Sequence, residues 1–273
     1  MTAVNTEYAL GRSPQEYARL ARQAEIFRPM TRRLFEEAGI STGMRVLDLG
    51  SGAGDVCMLV AEMVGQSGAV IGLDVDAEAC AHARERLGKA RLGNIEFVTS
   101  DFASYQPSAP VDAVVGRLVL MYQKDPAAAL ASVVRHLRPG GAVAFIEPLF
   151  MPPAGPDSAL KRAATVLIET LRRSGAHLDL ALRLHKVFQG AGLPIPKMRF
   201  EAVIDGAPDS PLYQYFADTI ASLLPKAIEY GITTAEEMQI ETLAERVRAE
   251  FEALGYAMLV AGSTAAWCRK EQR

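Results

Sequence analysis

The sequence predicts an α/β fold built around a parallel sheet, and three observations predict it. First, Arg45–Asp55 reads R-V-L-D-L-G-S-G-A-G-D, a short apolar run followed by glycines at alternate positions. Second, further apolar runs at 69–74, 95–99, 111–116 and 142–147 alternate with periodic, helix-like segments. Third, two of those runs end in an acid, Asp74 and Glu147, and a third reaches Asp101 two residues on, where such sheets place their ligands.

The first strand holds Val46, Leu47 and Leu49, the pattern of a strand buried on both faces. Gly50, Gly52 and Gly54 follow, and glycine lets a ligand lie against the backbone. Asp55–Val64 then reads as a helix, completing a nucleotide-binding βα unit. A dinucleotide fingerprint would need a small residue at position 55, where Asp55 stands. A carboxylate at that helix mouth opposes a pyrophosphate. The carboxylate of Asp48, two residues before Gly50, suits a ligand that carries positive charge, and S-adenosylmethionine has both an amino group and a sulfonium.

The second strand, Ala69–Asp74, ends in an acid suited to ribose hydroxyls, with Val75 next to it. The third, from Ile95, ends at Asp101-Phe102, a pair able to take an adenine amino group and one ring face. The fourth, from Val111, ends at Gly116-Arg117. A helix is predicted from about Asp125, then the turn Leu137–Gly141 and a fifth strand, Ala142–Glu147.

The runs VLDLGSGAGD, VIGLD, VTSDF, VDAVVGR and HLRPGG, in this order, resemble class I S-adenosylmethionine-dependent methyltransferases. The resemblance covers about Gly43 to Glu147. It implies a Rossmann-like sheet of order 3-2-1-4-5-7-6 with the last strand antiparallel, and S-adenosylmethionine as cofactor. It places Asp48, Gly50, Ser51 and Gly52 near the methionine part, Asp74 at the ribose, and Asp101 with Phe102 at the adenine, with Val75 also among the cofactor contacts. The chain departs from the exocyclic-amine members after strand four, where it has Gly116-Arg117-Leu118-Val119 and no N/D-P-P-Y/F motif. That argues against adenine or glutamine methylation.

Residues 1–40 read as a helical cover preceding a domain over 41–273. Ser13-Pro14-Gln15-Glu16 reads as a capped helix start, and a second helix is expected to begin after Pro29 and end at Gly39. In related methyltransferases such helices cover the cofactor. Tyr8, Arg19 and Gln23 can on that basis reach its carboxylate; the plainer alternative is an ordered tail and a solvated arginine. Cap insertions are expected at about 148–176 and 205–254, with helices at 157–173, 178–190, 211–230 and 235–254. Strand six is expected over Lys197–Ile204 and the last strand over Tyr256–Trp267.

Methyl transfer from a sulfonium is mainly a matter of alignment, worth about 7–11 kcal/mol in favourable cases. No catalytic signature is therefore required. Glu147 ends strand five and is expected to point into the cleft, where it accepts a substrate proton or binds an amine; the alternative is a hydrogen bond to a loop amide. His177 is the better general-base candidate of the four histidines. Arg117 either holds a carboxylate or a substrate anion, or pairs with a structural acid.

At 273 residues with 49% hydrophobic content the chain has ample core, and its formal net charge of −3 offers no global attraction to nucleic acid. Cys57, Cys80 and Cys268 lack metal or redox spacing and read as reduced, packed thiols, with no metal expected. No apolar signal core or membrane-length stretch is present, which suggests a cytoplasmic protein. The overall expectation is methyl transfer to a small, partly apolar molecule, with a homodimer as an option. The alternatives are a non-catalytic S-adenosylmethionine-binding regulator and, more remotely, an NAD(P)-dependent oxidoreductase.

Overall fold

The computed structural model describes residues 14–90, 93–151 and 156–272. Tyr8 and Ser13 lie outside them. The chain divides into two compact units. One gathers the described residues through Ile26 with Pro148–Asp179 and Ala202–Gly262; the other holds Phe27–Glu147, Leu180–Glu201 and Ser263–Arg273.

In chain order the elements are α1 (Pro14–Ala38), β1 (Arg45–Leu49), α2 (Asp55–Val64), β2 (Ala69–Asp74), α3 (Ala77–Ala90), β3 (Ile95–Thr99) and β4 (Val111–Arg117). A single 3₁₀ turn, Leu120–Tyr122, leads to α4 (Pro126–Val134) and β5 (Leu137–Pro148). Then come α5 (Ala159–Arg173), α6 (Leu180–Gly190), β6 (Lys197–Asp205), α7 (Pro211–Glu229), α8 (Ala235–Met238), α9 (Ile240–Leu254) and β7 (Met258–Arg269).

The strands form one sheet in the order β3-β2-β1-β4-β5-β7-β6 among the described residues. β1 lies between β2 and β4 and runs parallel to both, with Asp48 opposite Gly72 on one side and Val115 on the other. β2 pairs in parallel with β3, and β4 with β5. The Gly140 and Lys270 amides exchange bonds with Lys270 and Gly141 carbonyls, whereas Leu149 bonds Gly262, so β7 runs antiparallel to β5. This is the class I methyltransferase sheet. Val46, Leu47 and Leu49 are wholly buried, as a central strand covered on both faces requires. Each such side chain contributes about 1.5–3 kcal/mol.

Local chemistry sets the boundaries. Asp125 caps α4 by accepting the amides of Ala127 and Ala128, with Pro126 in the first turn where no amide is needed. The expected turn at Leu137–Gly141 is instead the start of β5, with the register irregular opposite Val111–Ala113. In the first unit Ser158 caps α5, and Glu250 of α9 accepts the next two amides, Ala159 and Leu160. Tyr213 of α7 meets Phe251 of α9, ring centroids 6.2 Å apart, above buried Ile220, Leu223, Leu243 and Val247.

Two helix expectations need correction. The two N-terminal helices are one, because α1 continues through Pro29. The helix expected at 235–254 is two, because Gln239 adopts a left-handed φ of 47° between α8 and α9. α8 closes on its own capping box, Thr234 with Glu237, which favours a separate start.

Candidate functional site at the carboxyl ends of β1, β2 and β4

The glycine turn joins β1 to α2, and all three of its glycines have positive φ. They need glycine for different reasons. A Cβ on Gly50 would stand 2.3 Å from Val119 Cγ2, and one on Gly54 would stand 2.7 Å from the Phe97 ring. Those two glycines admit neighbouring side chains. Among the described residues a Cβ on Gly52 would meet nothing nearer than the Gly50 carbonyl at 4.0 Å, so this glycine borders space they leave open. Between them Ser51 is buried, and its hydroxyl has no hydrogen-bond partner among the described residues. An orphaned buried hydroxyl beside an open glycine fits a ligand-binding turn.

Acids surround this turn. Asp48 is 1% exposed, and its Oδ2 accepts the Cys57 thiol at 3.1 Å. Burial pushes its carboxyl up to about 7, against the lowering influence of Cys57 and of Arg117. The same burial, with Asp48 alongside, pushes the Cys57 thiol well up, so it stays protonated and donates. Cys57 is thus more than a packed thiol, and its spacing nine residues after Asp48 gives no sign of this bond. Asp74 accepts the Gly52 amide on Oδ2 at 2.8 Å and the Asp76 amide on Oδ1 at 2.9 Å. Burial raises its carboxyl as well. Val75 beside it is 65% exposed. Asp101 is held below its ordinary range by hydrogen bonds from Ser104, and Phe102 is buried next to it.

Asp55, at the first position of α2, pairs with Arg86 at 2.7 Å. The pairing softens its repulsion of an anion while still placing a carboxylate at the helix mouth. Arg117, at the end of β4, donates to the Thr31 hydroxyl at 3.3 Å, and its guanidinium lies 6.0 Å from the centre of the Phe27 ring. It also acts electrostatically on Asp48. Thr31 and Phe27 carried no signal in the sequence that they would face this arginine.

The expectation that Glu147 points into the cleft is corrected. Glu147 is fully buried, and its carboxylate accepts the amides of Val119 at 3.1 Å, Leu120 at 2.8 Å and Met121 at 3.3 Å. The loop-amide alternative is the observed one. Three donors in one segment explain the choice, since burial without them would leave the carboxylate unpaired.

In the first unit, Arg19 is 2% exposed and not a solvated helix residue. Its guanidinium donates twice to Glu16, at 2.7 and 2.6 Å, and once to Gln23 at 2.7 Å. Tyr215 of α7 adds its hydroxyl to the same Gln23 oxygen at 3.1 Å. Glu16 therefore serves this buried pair, a role its place in the expected capping box did not indicate. His177 is half-buried in the connection between α5 and α6.

A separate cavity of about 490 Å³ opens at the amino ends of β4 and β5, lined by Arg135, His136, Arg138 and Lys270 among others. It holds no residue of the glycine turn.

A family model described as a methyltransferase domain matches residues 40–176. Aklanonic acid methyltransferase of Streptomyces sp. (strain C5) is 35% identical over 143 residues, which cover 52% of this chain and 64% of that one. A ubiquinone/menaquinone biosynthesis C-methyltransferase of Shewanella piezotolerans is 33% identical over 124 residues, covering 45% and 49%. The chain thus spans less than two thirds of the length of these curated relatives. Among solved structures, coclaurine N-methyltransferase bound to N-methylheliamine and S-adenosylhomocysteine superposes with a TM-score of 0.55 at 15% identity, over 89% of this chain and 72% of that one. At that identity the likeness is one of fold.

Proposed function

From the premise that this chain belongs to the methyltransferase-domain family, as a class I S-adenosylmethionine-dependent methyltransferase, we propose that it methylates a small, partly apolar molecule. The observation that carries the reading is the glycine turn itself, where buried Asp48, the orphaned Ser51 hydroxyl and open Gly52 meet the Asp74 carboxylate. When bound, S-adenosylmethionine supplies a methyl group made electrophilic by its sulfonium.

The chain's own residues bind and orient. Asp48 provides negative charge where a cationic ligand keeps it ionised, although burial alone favours its neutral form. Asp74 gives each oxygen one backbone donor and retains lone pairs for ribose hydroxyls. Asp101, Phe102 and exposed Val75 offer an acceptor and two apolar surfaces to adenine. Ser51 offers its unpartnered hydroxyl. Arg117 offers a cation at the end of β4, with Thr31 orienting it.

Alignment supplies the chemistry, and Glu147 takes no proton from substrate, because its carboxylate is sealed behind three amides. Support for a small acceptor comes from the acidic chain and from relatives named for aklanonic acid and quinone methylation. The test is S-adenosylhomocysteine formation from S-adenosylmethionine across a panel of phenols, quinols, carboxylic acids and amines. Acceptor-dependent turnover with at least one of them supports the reading. Cofactor binding without turnover across the whole panel would favour a non-catalytic regulator.

A further inference from the structure

The end of β5 reaches the glycine turn through one residue. Val119 is 7% exposed, and its Cγ2 lies 2.3 Å from where a Cβ on Gly50 would stand. Its Cγ1 lies 2.9 Å from the corresponding point on Gly116. Gly50, after β1, thus leaves its space to Val119, whereas Gly116, inside β4, shares its space between Val119 and the Phe145 ring, which is nearer at 2.5 Å. Strand pairing ends at Leu118, whose amide donates to the Ile146 carbonyl of β5 at 2.9 Å, so the segment carrying Val119 lies beyond it. It follows Leu118, whose φ of 54° is one a leucine rarely adopts, and it makes a single 3₁₀ turn. What fixes the segment is Glu147, which is fully buried and takes the three successive amides 119, 120 and 121. The acid acts on it as a side-chain cap acts on a helix start, but from a neighbouring strand.

We propose that Glu147 is a positioning residue, which by holding the amides of residues 119–121 seats Val119 against Gly50 and so presets the glycine turn for its ligand. The proposal rests on the S-adenosylmethionine reading above, and it goes beyond that reading by placing a determinant of affinity at a residue sealed away from solvent. Weakening the three bonds lets Leu118 leave its left-handed conformation. Val119 then withdraws, and the turn loses the wall that defines Gly50.

The experiment is calorimetric titration with S-adenosylhomocysteine of the wild-type chain, Glu147→Gln, and Glu147→Gln combined with Leu118→Gly, each also melted in urea. Glutamine keeps the shape and one acceptor oxygen, but turns an NH₂ toward a backbone amide. The expected result is binding about tenfold weaker in Glu147→Gln with a cooperative melt retained. Leu118→Gly, which favours positive φ, recovers most of the loss. Recovery is the readout that a merely structural role would not give. Affinity of Glu147→Gln within twofold of wild type overturns the proposal, as does a loss that Leu118→Gly leaves untouched. If Glu147→Gln does not melt cooperatively, Val119→Ala takes its place: similar weakening supports the proposal, and wild-type affinity overturns it. Silence of the wild-type chain toward S-adenosylhomocysteine overturns the cofactor reading, and the proposal with it.

Discussion

The Asp74 carboxylate at the end of β2 accepts the Gly52 amide at 2.8 Å, so one acid both shapes the glycine turn after β1 and borders the open space beside it. Removing it should therefore act twice. Asp74→Ala is expected to weaken S-adenosylhomocysteine binding at least about tenfold, since a charge-assisted bond contributes roughly 1.5–3 kcal/mol. Asp74→Asn, which can still accept from Gly52, should fall between. Equal affinities for all three proteins, measured calorimetrically, would remove Asp74 from the site.

The glycines separate packing from ligand space. At Gly50 a methyl group would collide with Val119 on a backbone already at φ 62°, so Gly50→Ala should cost stability, about 2 kcal/mol or more. At Gly52 the methyl meets no neighbour, and only the φ of 49° opposes it. Gly52→Ala should cost about 1 kcal/mol of stability, yet should lose ligand affinity out of proportion. Urea melts paired with titrations distinguish the two; similar ratios of stability loss to affinity loss would contradict the account.

Asp48 should make both stability and affinity depend on pH. Its folded carboxyl is raised from 3.8 to about 7, so between those values the unfolded chain has released a proton that the folded chain keeps. Stability due to this group is therefore full below pH 4 and declines as pH rises toward 7. Asp48→Asn should flatten that part of the profile. Binding should run the other way, because S-adenosylmethionine favours the ionised form: affinity should climb with pH and level off above about 7. Arg117, Asp74 and Asp55 also act on Asp48, and Glu147 is raised to about 7 as well, so the Asn variant is the control that assigns the slope. A slope unchanged in Asp48→Asn would contradict the assignment.

Arg19 and Glu16 form a buried pair at 2.6 Å, each side chain 2% exposed. Arg19→Ala should destabilise by about 3–5 kcal/mol, because it removes both guanidinium bonds to a buried carboxylate. The double change Glu16→Gln with Arg19→Met should recover much of that loss. A urea midpoint for Arg19→Ala near wild type would mean the pair contributes little.

The sheet and the glycine turn were legible because their signals are local: apolar runs, alternating glycines and acids at strand ends are read within ten residues. The side chains that decide the site's geometry were less legible. Nothing in the sequence places Val119 in the space left by Gly50, since they are brought together only when β1 and β4 pair. The sequence leaves Glu147 two possible roles because its partners lie 26 to 28 residues away, in a segment that makes only a single 3₁₀ turn. In the sequence Arg19 reads as either a cofactor-reaching or a solvated arginine, because its partners, Glu16 and Gln23, are also polar; only their shared burial makes the cluster. Pro29 read as a helix break, but α1 passes through it. In a helix this long, packing of Phe27, Met30, Leu34 and Phe35 outweighs one lost bond and a steric cost of about 3 kcal/mol.

Parallel calorimetric titration of the wild-type chain with S-adenosylmethionine, S-adenosylhomocysteine and NADH decides which ligand the glycine turn holds. Saturable micromolar binding of the first two with no heat from NADH is the expected result. Binding of NADH alone would contradict it, because a turn with Asp48 behind it and Asp55 at the helix mouth is argued to select a cationic adenosyl ligand over a pyrophosphate.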